Sequence, residues 1–396
     1  MKLLLYSHYF APSVGGVETI VQSLARGLAE HRTSNSAQEF EVTLATNTPA
    51  QNFDDHSLPF RIVRRPGLFR LWQLVRAADV IHLAGPALMP LLLANVARKA
   101  VVVEHHGYQA TCPNGLLFHH PSEAVCPGYF EAGKFEECWK CNRKIEGTAG
   151  SLLLLVKTLA RRALSRHAAA NIAPSQHVAA RQHLPRTTVI VHGVADPMHG
   201  KDAAATTASE PNDGSSFAYL GRLVVEKGVT VLLEAARLLR AEGREVRVTL
   251  IGDGPDRPRL EKQIAAEHLE NVVRITGFLS GAALRHETER VAAIVIPTVM
   301  EETAGLAALE QMIQGRPVIA SAIGGLGEIV SGAGLTFPPN DPMELARAIK
   351  RILDEPGLAF SLGVSARERA LRSYSFGGMI DAHACVYRAV YEASHR

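Results

Sequence analysis

The amino-acid sequence predicts an α/β protein built from two doubly wound domains, each a parallel sheet with helices on both faces. The chain has 396 residues, about two and a half times the ~150 residues of a typical domain. Apolar residues make up 47% of it, which supports large buried cores and excludes a disordered or fibrous protein. Short apolar runs alternate with helical periodicity along both halves, as in parallel sheets that are buried on both faces.

The first predicted domain is Rossmann-like and spans residues 1–198. A turn at Gly15 and Gly16 follows its first strand and precedes a helix over Val17–Glu30. Six apolar runs are its predicted strands: Lys2–Ser7, Glu41–Asn47, Val80–Gly85, Ala100–His105, Ala169–Ala173 and Thr188–His192.

The second predicted domain is also Rossmann-like and spans residues 217–375, after a linker at 199–216 that lacks any periodicity. Its predicted strands are Phe217–Gly221, Val246–Gly252, Val272–Gly277, Ala292–Pro297 and Pro317–Ser321. A helix within 376–396 then ends the chain, and we expect it to pack back toward the first domain. Because ligands of open α/β sheets bind beyond the carboxyl ends of the strands, we expect an interdomain cleft to hold the site.

Charge and hydropathy argue against two classes of protein. Lysine and arginine number 42 against 39 acidic residues, a net charge of +3 that is too balanced for a general nucleic-acid-binding protein. No stretch reaches the ~18 consecutive apolar residues of a membrane span. The N-terminal apolar run is also too short for a secretory signal. We therefore expect a cytoplasmic protein without a nucleic-acid partner.

Two cations lie in the loop that follows the first strand of the second domain. Arg222 and Lys227 belong to the segment Gly221–Gly228, at a strand end and just before a helix start. This placement is typical of an anion site, because fixed cations and helix N-termini both attract negative charge. The alternative is that both are ordinary solvated surface residues.

Two carboxylates occur in a later loop and helix of the same domain. Glu302 follows the strand that ends at Pro297, and Glu310 lies eight residues further, about 12 Å along a regular helix. We expect that helix to begin near Thr303, with the backbone N–H groups around Gly305 and Leu306 available to phosphate oxygens. Alternatively, Glu302 is only a helix-start residue and Glu310 a surface glutamate.

Several motifs follow one another in a fixed order. In the second half they are GRLVVEKG, GDGP, TGF and then E-x7-E; in the first half they are PSVGGVE, ADVIHLAGP, the strand leading to His106, and IVHGVADP. This ordered set resembles the retaining glycosyltransferases of family 4, the group 1 glycosyltransferases, which have the GT-B fold. The resemblance covers nearly the whole chain. A single one of these motifs would be weak, whereas the ordered set is specific.

The resemblance implies a role for several residues of the second domain. Arg222 and Lys227 match the pair that binds the donor diphosphate. Glu310 matches the carboxylate that holds the ribose hydroxyls, and Glu302 matches the one that faces the transferred sugar.

Further positions are implied in the same way. Gly15 and Gly16 match the loop that approaches the phosphates and the acceptor. The residues expected to flank the base are Asp253, Gly277 and Phe278.

In the first domain, His106 matches a histidine near the reacting sugar in an H-D-Y-x-x-x-C-P pattern. Gly107 stands where the pattern has aspartate, so that carboxylate is absent. His105 competes for the same assignment, and we prefer His106 because of its spacing to Cys112. A second departure is Thr303-Ala304 in place of the Gly-Phe of E-G-F-G.

The implied function is that of a retaining hexosyl or related transferase acting on a UDP- or GDP-linked sugar. The acceptor would be a glycan, a lipid-linked glycan or a small molecule. The chain contains no D-x-D, so we expect Arg222 and Lys227 to stabilise the leaving diphosphate and catalysis to need no cofactor. Two alternatives stay open: a nucleotide-sugar epimerase of the same fold, and a sugar-nucleotide-binding module without transfer activity.

Four cysteines cluster in an insertion at 108–145 of the first domain. They are spaced C-x13-C-x11-C-x2-C: Cys112, Cys126, Cys138 and Cys141. In a cytosolic protein this pattern favours a structural zinc site, with an iron–sulfur cluster as an alternative metal centre. Two disulfides or four free thiols are the other interpretations.

The segment at 151–167, SLLLLVKTLARRALSRH, is apolar on one side and basic on the other. It either rests on the inner face of a membrane, as a peripheral contact, or forms an ordinary amphipathic core helix. We favour the core helix.

Overall fold

The computed structural model describes residues 1–33, 36–197 and 214–396, which form two compact units. Unit 1 comprises Met1–Pro121, Cys126–Gly193 and Phe376–Arg396, and unit 2 comprises Ser122–Val125 and Val194–Ser375. The helix that ends the chain is thus part of unit 1. Most of the predicted linker lies outside the described residues.

Unit 1 contains a seven-stranded parallel sheet in the order β3-β2-β1-β4-β5-β8-β9. The first nine strands of the chain, including the two-residue β6 and β7, are β1 (Lys2–Ser7), β2 (Glu41–Thr46), β3 (Arg61–Arg64), β4 (Val80–Ala84), β5 (Ala100–Glu104), β6 (Phe118–His119), β7 (Ala124–Val125), β8 (Ala170–Ala173) and β9 (Thr187–Val189).

Unit 2 contains a six-stranded parallel sheet in the order β12-β11-β10-β13-β14-β15. Its strands are β10 (Ser216–Leu220), β11 (Arg247–Ile251), β12 (Val273–Gly277), β13 (Ala293–Ile296), β14 (Val318–Ser321) and β15 (Leu335–Phe337).

Thirteen helices accompany the sheets in the described part of the chain. They are α1 (Gly16–Glu30), α2 (Leu68–Ala77), α3 (Leu88–Val96), α4 (Phe135–His167), α5 (Gln176–Gln182), α6 (Val229–Ala241), α7 (Arg257–Ala266), α8 (Gly281–Glu289), α9 (Leu306–Met312), α10 (Gly324–Val330), α11 (Pro342–Asp354), α12 (Leu358–Ser373) and α13 (Phe376–Ser394). None of them has the length and apolarity that crossing a bilayer requires.

Strand β1 shows how the unit 1 sheet buries both of its faces. Leu3 and Leu5 belong to the core beneath α1 and α13, whereas Leu4 and Tyr6 belong to the core beneath α2 and α3. Side chains alternate between the two faces of a strand, so an unbroken apolar run is what a sheet covered on both sides requires. Such apolar runs are the basis for predicting eleven strands, and each predicted strand starts within one residue of a strand in the structure.

Helix α4 agrees only in part with the expectation of an ordinary core helix at 151–167. It is kinked at Gly147, whose backbone φ is 72°, and the part that follows buries Ser151, Thr158 and Ser165. Leu164 packs partly buried against the core, whereas four other large apolar side chains of this part are exposed: Leu152, Leu153, Val156 and Leu159. The buried side of this part thus contains small hydroxyl residues, and the Thr158 hydroxyl donates to the carbonyl of Leu154 at 2.9 Å.

Candidate active site

Glycines bring two loops of unit 2 into backbone contact at the ends of β10 and β11. A Cβ at Gly252 would lie 1.8 Å from the carbonyl oxygen of Gly221, and one at Gly254 would lie 2.2 Å from that of Leu223. The N–H of Leu223 in turn donates to the carbonyl of Asp253 at 3.0 Å. The predicted phosphate loop is therefore held rigidly at the carboxyl end of the sheet.

Lys227 stands on a short 3-10 turn that is tied to the loop after β13. The N–H of Val299 and the hydroxyl of Thr298 both donate to the carbonyl of Glu226, each at 3.0 Å. Gly228 then passes so close to Pro297 that a Cβ there would lie 2.1 Å from the Pro297 carbonyl oxygen. These backbone contacts therefore place Lys227 beside the segment that contains Glu302.

The structure brings Lys227 and Glu302 together as an ion pair, in which the Lys227 ammonium donates to Oε1 of Glu302. Both side chains are only partly exposed. The backbone of Glu302 is fixed by the N–H of Gly325, which donates to its carbonyl at 2.7 Å. A Cβ at Gly324 would lie 2.3 Å from the same carbonyl oxygen, so glycine there permits the approach.

Helix α9 begins at Leu306, three residues later than expected, after Gly305 in the left-handed region with φ of 55°. Glu302 consequently lies in a loop rather than in the first helical turn, and the 12 Å estimate for its separation from Glu310 does not apply. A Cβ at Gly305 would lie 2.9 Å from Cδ1 of Leu326, which is why a small residue precedes the helix.

Arg222 and Glu310 are both exposed. The carbonyl of Arg222 accepts the hydroxyl of Tyr219 at 2.6 Å, while its guanidinium has no hydrogen-bond partner among the described residues. Glu310 lies on α9, and the surrounding protein atoms raise the pKa of its carboxyl by desolvation. The two side chains are available to a ligand.

Asp253, Gly277 and Phe278 lie at the ends of the neighbouring strands β11 and β12. Asp253 accepts the N–H of Gly254 at 2.8 Å and the guanidinium of Arg257 at 3.0 Å, and these bonds lower the pKa of its carboxyl. A Cβ at Gly277 would be 3.8 Å from the same guanidinium, and the Phe278 ring is exposed. Arg257 is a neighbour of the predicted base-flanking residues that the motifs did not indicate.

In unit 1, Gly15 and Gly16 stand where β1 has ended and α1 begins. Gly15 precedes the first helical residue, and its carbonyl accepts the N–H of Thr19 at 3.0 Å. A Cβ at Gly15 would lie 2.5 Å from a carboxylate oxygen of Glu18, and Val14 is exposed. The residues thus form a loop at the carboxyl edge of the sheet.

The structure separates the two candidate histidines by their partners. His105 is buried, and its Nε2 bonds Oδ1 of Asn171 at 2.9 Å. Burial lowers the pKa of His105 to about 4. His106, which we preferred, places its Nε2 3.5 Å from Oε2 of Glu104. Its pKa is lowered to about 3, again by burial, with Glu104 opposing the shift.

No motif of the sequence indicates Glu104, although an acid that ends the apolar run VVVE must find partners when buried. Its carboxylate is completely buried and surrounded by four imidazoles. Nε2 of His82 is 3.2 Å and Nε2 of His383 is 3.4 Å from Oε2, and Nε2 of His192 is 3.5 Å from Oε1. The absence of aspartate at Gly107 therefore does not leave this region without a carboxylate.

The four cysteines of the insertion are buried and lie near one another. Asn114 links two of them, because its Oδ1 is 3.0 Å from Sγ of Cys112 and its Nδ2 is 3.8 Å from Sγ of Cys141. Burial, and then the other three sulfurs, raise the pKa of Cys138 to about 12. The other three sulfurs are those of Cys112, Cys126 and Cys141, and the Glu131 carboxylate raises the pKa in the same direction.

Only one group of at least three metal-ligating side chains in the described chain has its ligand atoms all within 4.8 Å of one another. It consists of Glu104, His106 and His192. A zinc tetrathiolate requires sulfurs about 3.8 Å apart, so the cysteines would have to close around an ion. Their metal site stays a prediction.

Two family models match the chain. The one described as "Glycosyl transferases group 1" covers residues 204–369, and the one described as "Glycosyltransferase Family 4" covers residues 14–195. The chain belongs to the group 1 glycosyltransferases. Among the curated relatives of the chain, alpha-D-kanosaminyltransferase of Streptomyces kanamyceticus is 35% identical over 43% of the chain and 45% of the relative. Glycogen synthase of Mycobacterium tuberculosis is 33% identical over 52% and 49%. The chain thus spans about half the length of the curated relatives that it matches.

Solved structures share the fold of the chain over nearly all of its length. HepE of Anabaena, determined in complex with UDP, superposes with a TM-score of 0.70 at 17% identity, over 98% of the chain and all of HepE. Sucrose-phosphate synthase of Thermosynechococcus elongatus gives 0.72 at 22% identity, over 99% of each chain. The predicted GT-B fold of two Rossmann-like domains is confirmed.

Proposed function

We propose that this chain is a retaining glycosyltransferase that moves a hexosyl or related group from a UDP- or GDP-linked sugar to a glycan, lipid-linked or small acceptor. The observation that carries the proposal is the Lys227–Glu302 pair, held at strand ends of unit 2 by glycine-packed loops. Family membership supports the reaction class, and the relative HepE, solved with UDP, supports the donor class.

The leaving diphosphate sets the electrostatic requirement of this reaction. Breaking the bond between C1 of the sugar and the phosphate oxygen develops negative charge on that oxygen, which preorganised cations stabilise strongly in a partly dry site. Arg222 supplies a guanidinium without a described partner, and Lys227 supplies an ammonium that its carboxylate neighbour keeps in place. The two cations meet this requirement without a metal cofactor.

Retention follows if the acceptor attacks the face from which the diphosphate leaves. The acceptor hydroxyl forms the new bond to C1, and its proton passes to the departing phosphate oxygen, so atoms and charge balance. Glu302 is ion-paired with Lys227, which suits it to holding sugar hydroxyls better than to forming a covalent intermediate. On unit 1, His106 is the residue that we assign to the transfer step.

The first prediction concerns the cations. Arg222→Ala and Lys227→Ala should each lower transfer on the order of 10²-fold or more, because the leaving group loses a positive charge. Nucleotide release from UDP- and GDP-sugars, measured with acceptor, tests this. Lys350→Ala is the matched control, since among the described residues Lys350 pairs only with Glu242, on the surface of unit 2. Wild-type turnover in either site variant, or activity that EDTA abolishes and Mg²⁺ alone restores, contradicts the metal-free assignment.

A second prediction separates the two glutamates. Glu310→Gln should weaken binding of the nucleoside diphosphate, because this carboxylate is assigned to the ribose. Glu302→Gln should leave that affinity unchanged or raise it, because Lys227 loses its internal partner, while sugar transfer falls. Calorimetric titration with UDP and GDP gives the affinities. If both changes weaken nucleotide binding equally, the division of roles is wrong.

Helices α3 and α4 pack against each other in unit 1, and each exposes an apolar stripe. The stripe of α3 contains Met89, Leu92 and Val96, and that of α4 contains Leu152, Leu153, Val156 and Leu159. Basic residues accompany both, and the segments 88–99 and 151–167 contain no aspartate or glutamate. Apolar side chains flanked only by positive charge are what an anionic bilayer surface attracts.

We propose that these two stripes rest on an anionic membrane at its inner, cytoplasmic face, which would bring a lipid-linked acceptor to the enzyme. Leu153→Glu with Val156→Glu should then weaken binding to phosphatidylglycerol vesicles by about tenfold or more, through lost apolar contact and added repulsion. Vesicle co-sedimentation at low and high salt measures it. Met343→Glu, which alters an exposed apolar residue of unit 2, is the control. Wild-type protein that ignores such vesicles at low salt refutes the contact.

We also propose that Cys112, Cys126, Cys138 and Cys141 hold a structural zinc, or an iron–sulfur cluster. Elemental analysis of protein purified without added metal should find about one zinc per chain, or iron with visible absorbance. Cys138→Ser should remove it and loosen residues 108–145 to proteolysis. Cys385→Ser, which alters the exposed cysteine outside the insertion, should keep the metal. If protein handled anaerobically contains no metal and all of its cysteines are free thiols, the metal site is wrong and the four cysteines are ordinary reduced side chains.

A further inference from the structure

The stability of the Glu104 carboxylate depends on which of the surrounding histidine nitrogens carry a proton. It is completely buried, and a charge in that position is stable only if nearby groups neutralise and solvate it. An ionised carboxylate offers about four acceptor sites and no donor. Four imidazole Nε2 atoms lie 3.2–3.5 Å from its two oxygens. The protons on those nitrogens decide whether the cluster is stable.

His82 can meet the carboxylate as a neutral ring. Its Nδ1 is 2.9 Å from the hydroxyl of Tyr387, which can donate a hydrogen bond and so leave Nδ1 as the acceptor. The ring proton of His82 then resides on Nε2 and points at Glu104. No additional proton is needed for this contact.

His383 cannot meet the carboxylate in the same way. Its Nδ1 is 2.8 Å from the carbonyl oxygen of Met379, one helical turn earlier. A carbonyl only accepts hydrogen bonds, so this nitrogen carries a proton. A neutral His383 would therefore turn the Nε2 lone pair toward Oε2 of Glu104 at 3.4 Å, leaving two buried acceptors face to face. One further proton has to lie between these two groups.

That proton is better placed on His383 than on Glu104. A protonated carboxyl would give up one of the acceptor sites that His82, His106 and His192 also face. The surrounding imidazoles outweigh the effect of burial and hold the pKa of Glu104 well below its ordinary value. The groups that face Glu104 come from every element around it: His82 from β4, His106 and His192 from the segments after β5 and β9, and His383 with Tyr387 from α13.

We propose that the cluster is a buried ion pair of a Glu104 carboxylate and a His383 imidazolium, and that Glu104 is the positioning residue of His106. With His106 neutral, a carboxylate 3.5 Å from its Nε2 selects the tautomer with the proton on Nε2 and leaves Nδ1 as the acceptor. The consequence for transfer rests on the function proposed above for His106. The ion pair itself does not.

The ion pair is tested by two-bond ¹H–¹⁵N correlation on the full chain labelled at histidine. At pH 7.5 one buried ring should show both nitrogens protonated, and the signal should disappear in His383→Gln. The signal should also be lost in Glu104→Gln, because the amide no longer balances the imidazolium. Only neutral buried rings in the wild type would overturn the ion pair. His105→Gln is the matched control, because His105 is equally buried but bonds Asn171 instead of Glu104.

The positioning role is tested by the tautomer of His106 and by kinetics. In Glu104→Gln the His106 signals should move away from the Nε2–H pattern, which is measurable without any turnover. The kcat of transfer should fall on the order of 10²-fold with an altered pH profile, while the Kd for UDP changes less than about twofold. An unchanged His106 tautomer overturns the positioning role. A shifted tautomer in a protein that transfers no sugar overturns only the proposed function.

A divalent cation is the alternative source of positive charge, since Glu104, His106 and His192 have ligand atoms within 4.8 Å. Elemental analysis of the wild type and of Glu104→Gln distinguishes a His383 imidazolium from a bound divalent cation. Metal content that is equal in both, or zero in both, agrees with the ion pair, and any metal retained then belongs to the cysteines. One equivalent of metal that is present in the wild type and lost in Glu104→Gln overturns it.

Discussion

The inner strands of both sheets are buried on both faces, and this constraint decides where chemistry appears in the molecule. A strand whose alternate side chains all enter a core has no room for a charged group except at its end. Lys227, Glu302 and Asp253 accordingly occur in loops at the carboxyl ends of the unit 2 strands. Glycines at those ends let the loops touch backbone to backbone, so that the charged side chains are held by main-chain contacts.

The same constraint explains how much could be predicted from the sequence. Apolar runs identify the buried strands, whereas β3, with its charged RIVR sequence, and the three-residue β15 carry too weak a pattern and were missed. Lys227 and Glu302 were both found because each follows a recognisable strand. Their direct ion pair was not foreseen, since it depends on how Gly228 and Gly324 pack against backbone in neighbouring loops.

The Glu104 cluster could not have been assembled from the sequence. Its four histidines stand at positions 82, 106, 192 and 383, and only the fold brings the last of these, on α13, beneath β4 and β5. The signal that was available is local: an acid that ends a buried apolar strand needs partners. Periodicity was equally insufficient for α4, because an amphipathic pattern shows which side is apolar but not whether another element covers it.

The two ion pairs differ in their contact with water, and therefore in whether a ligand can replace one of the partners. Lys227 and Glu302 keep partial contact with water, so a ligand that brings its own negative charge can replace the internal partner at modest cost. Glu104 and His383 are fully buried, and separating them would leave an uncompensated charge in the core. An exchangeable pair suits a site that must bind and release an anion. A pair that cannot exchange suits a support that must hold one histidine in one tautomer throughout the reaction.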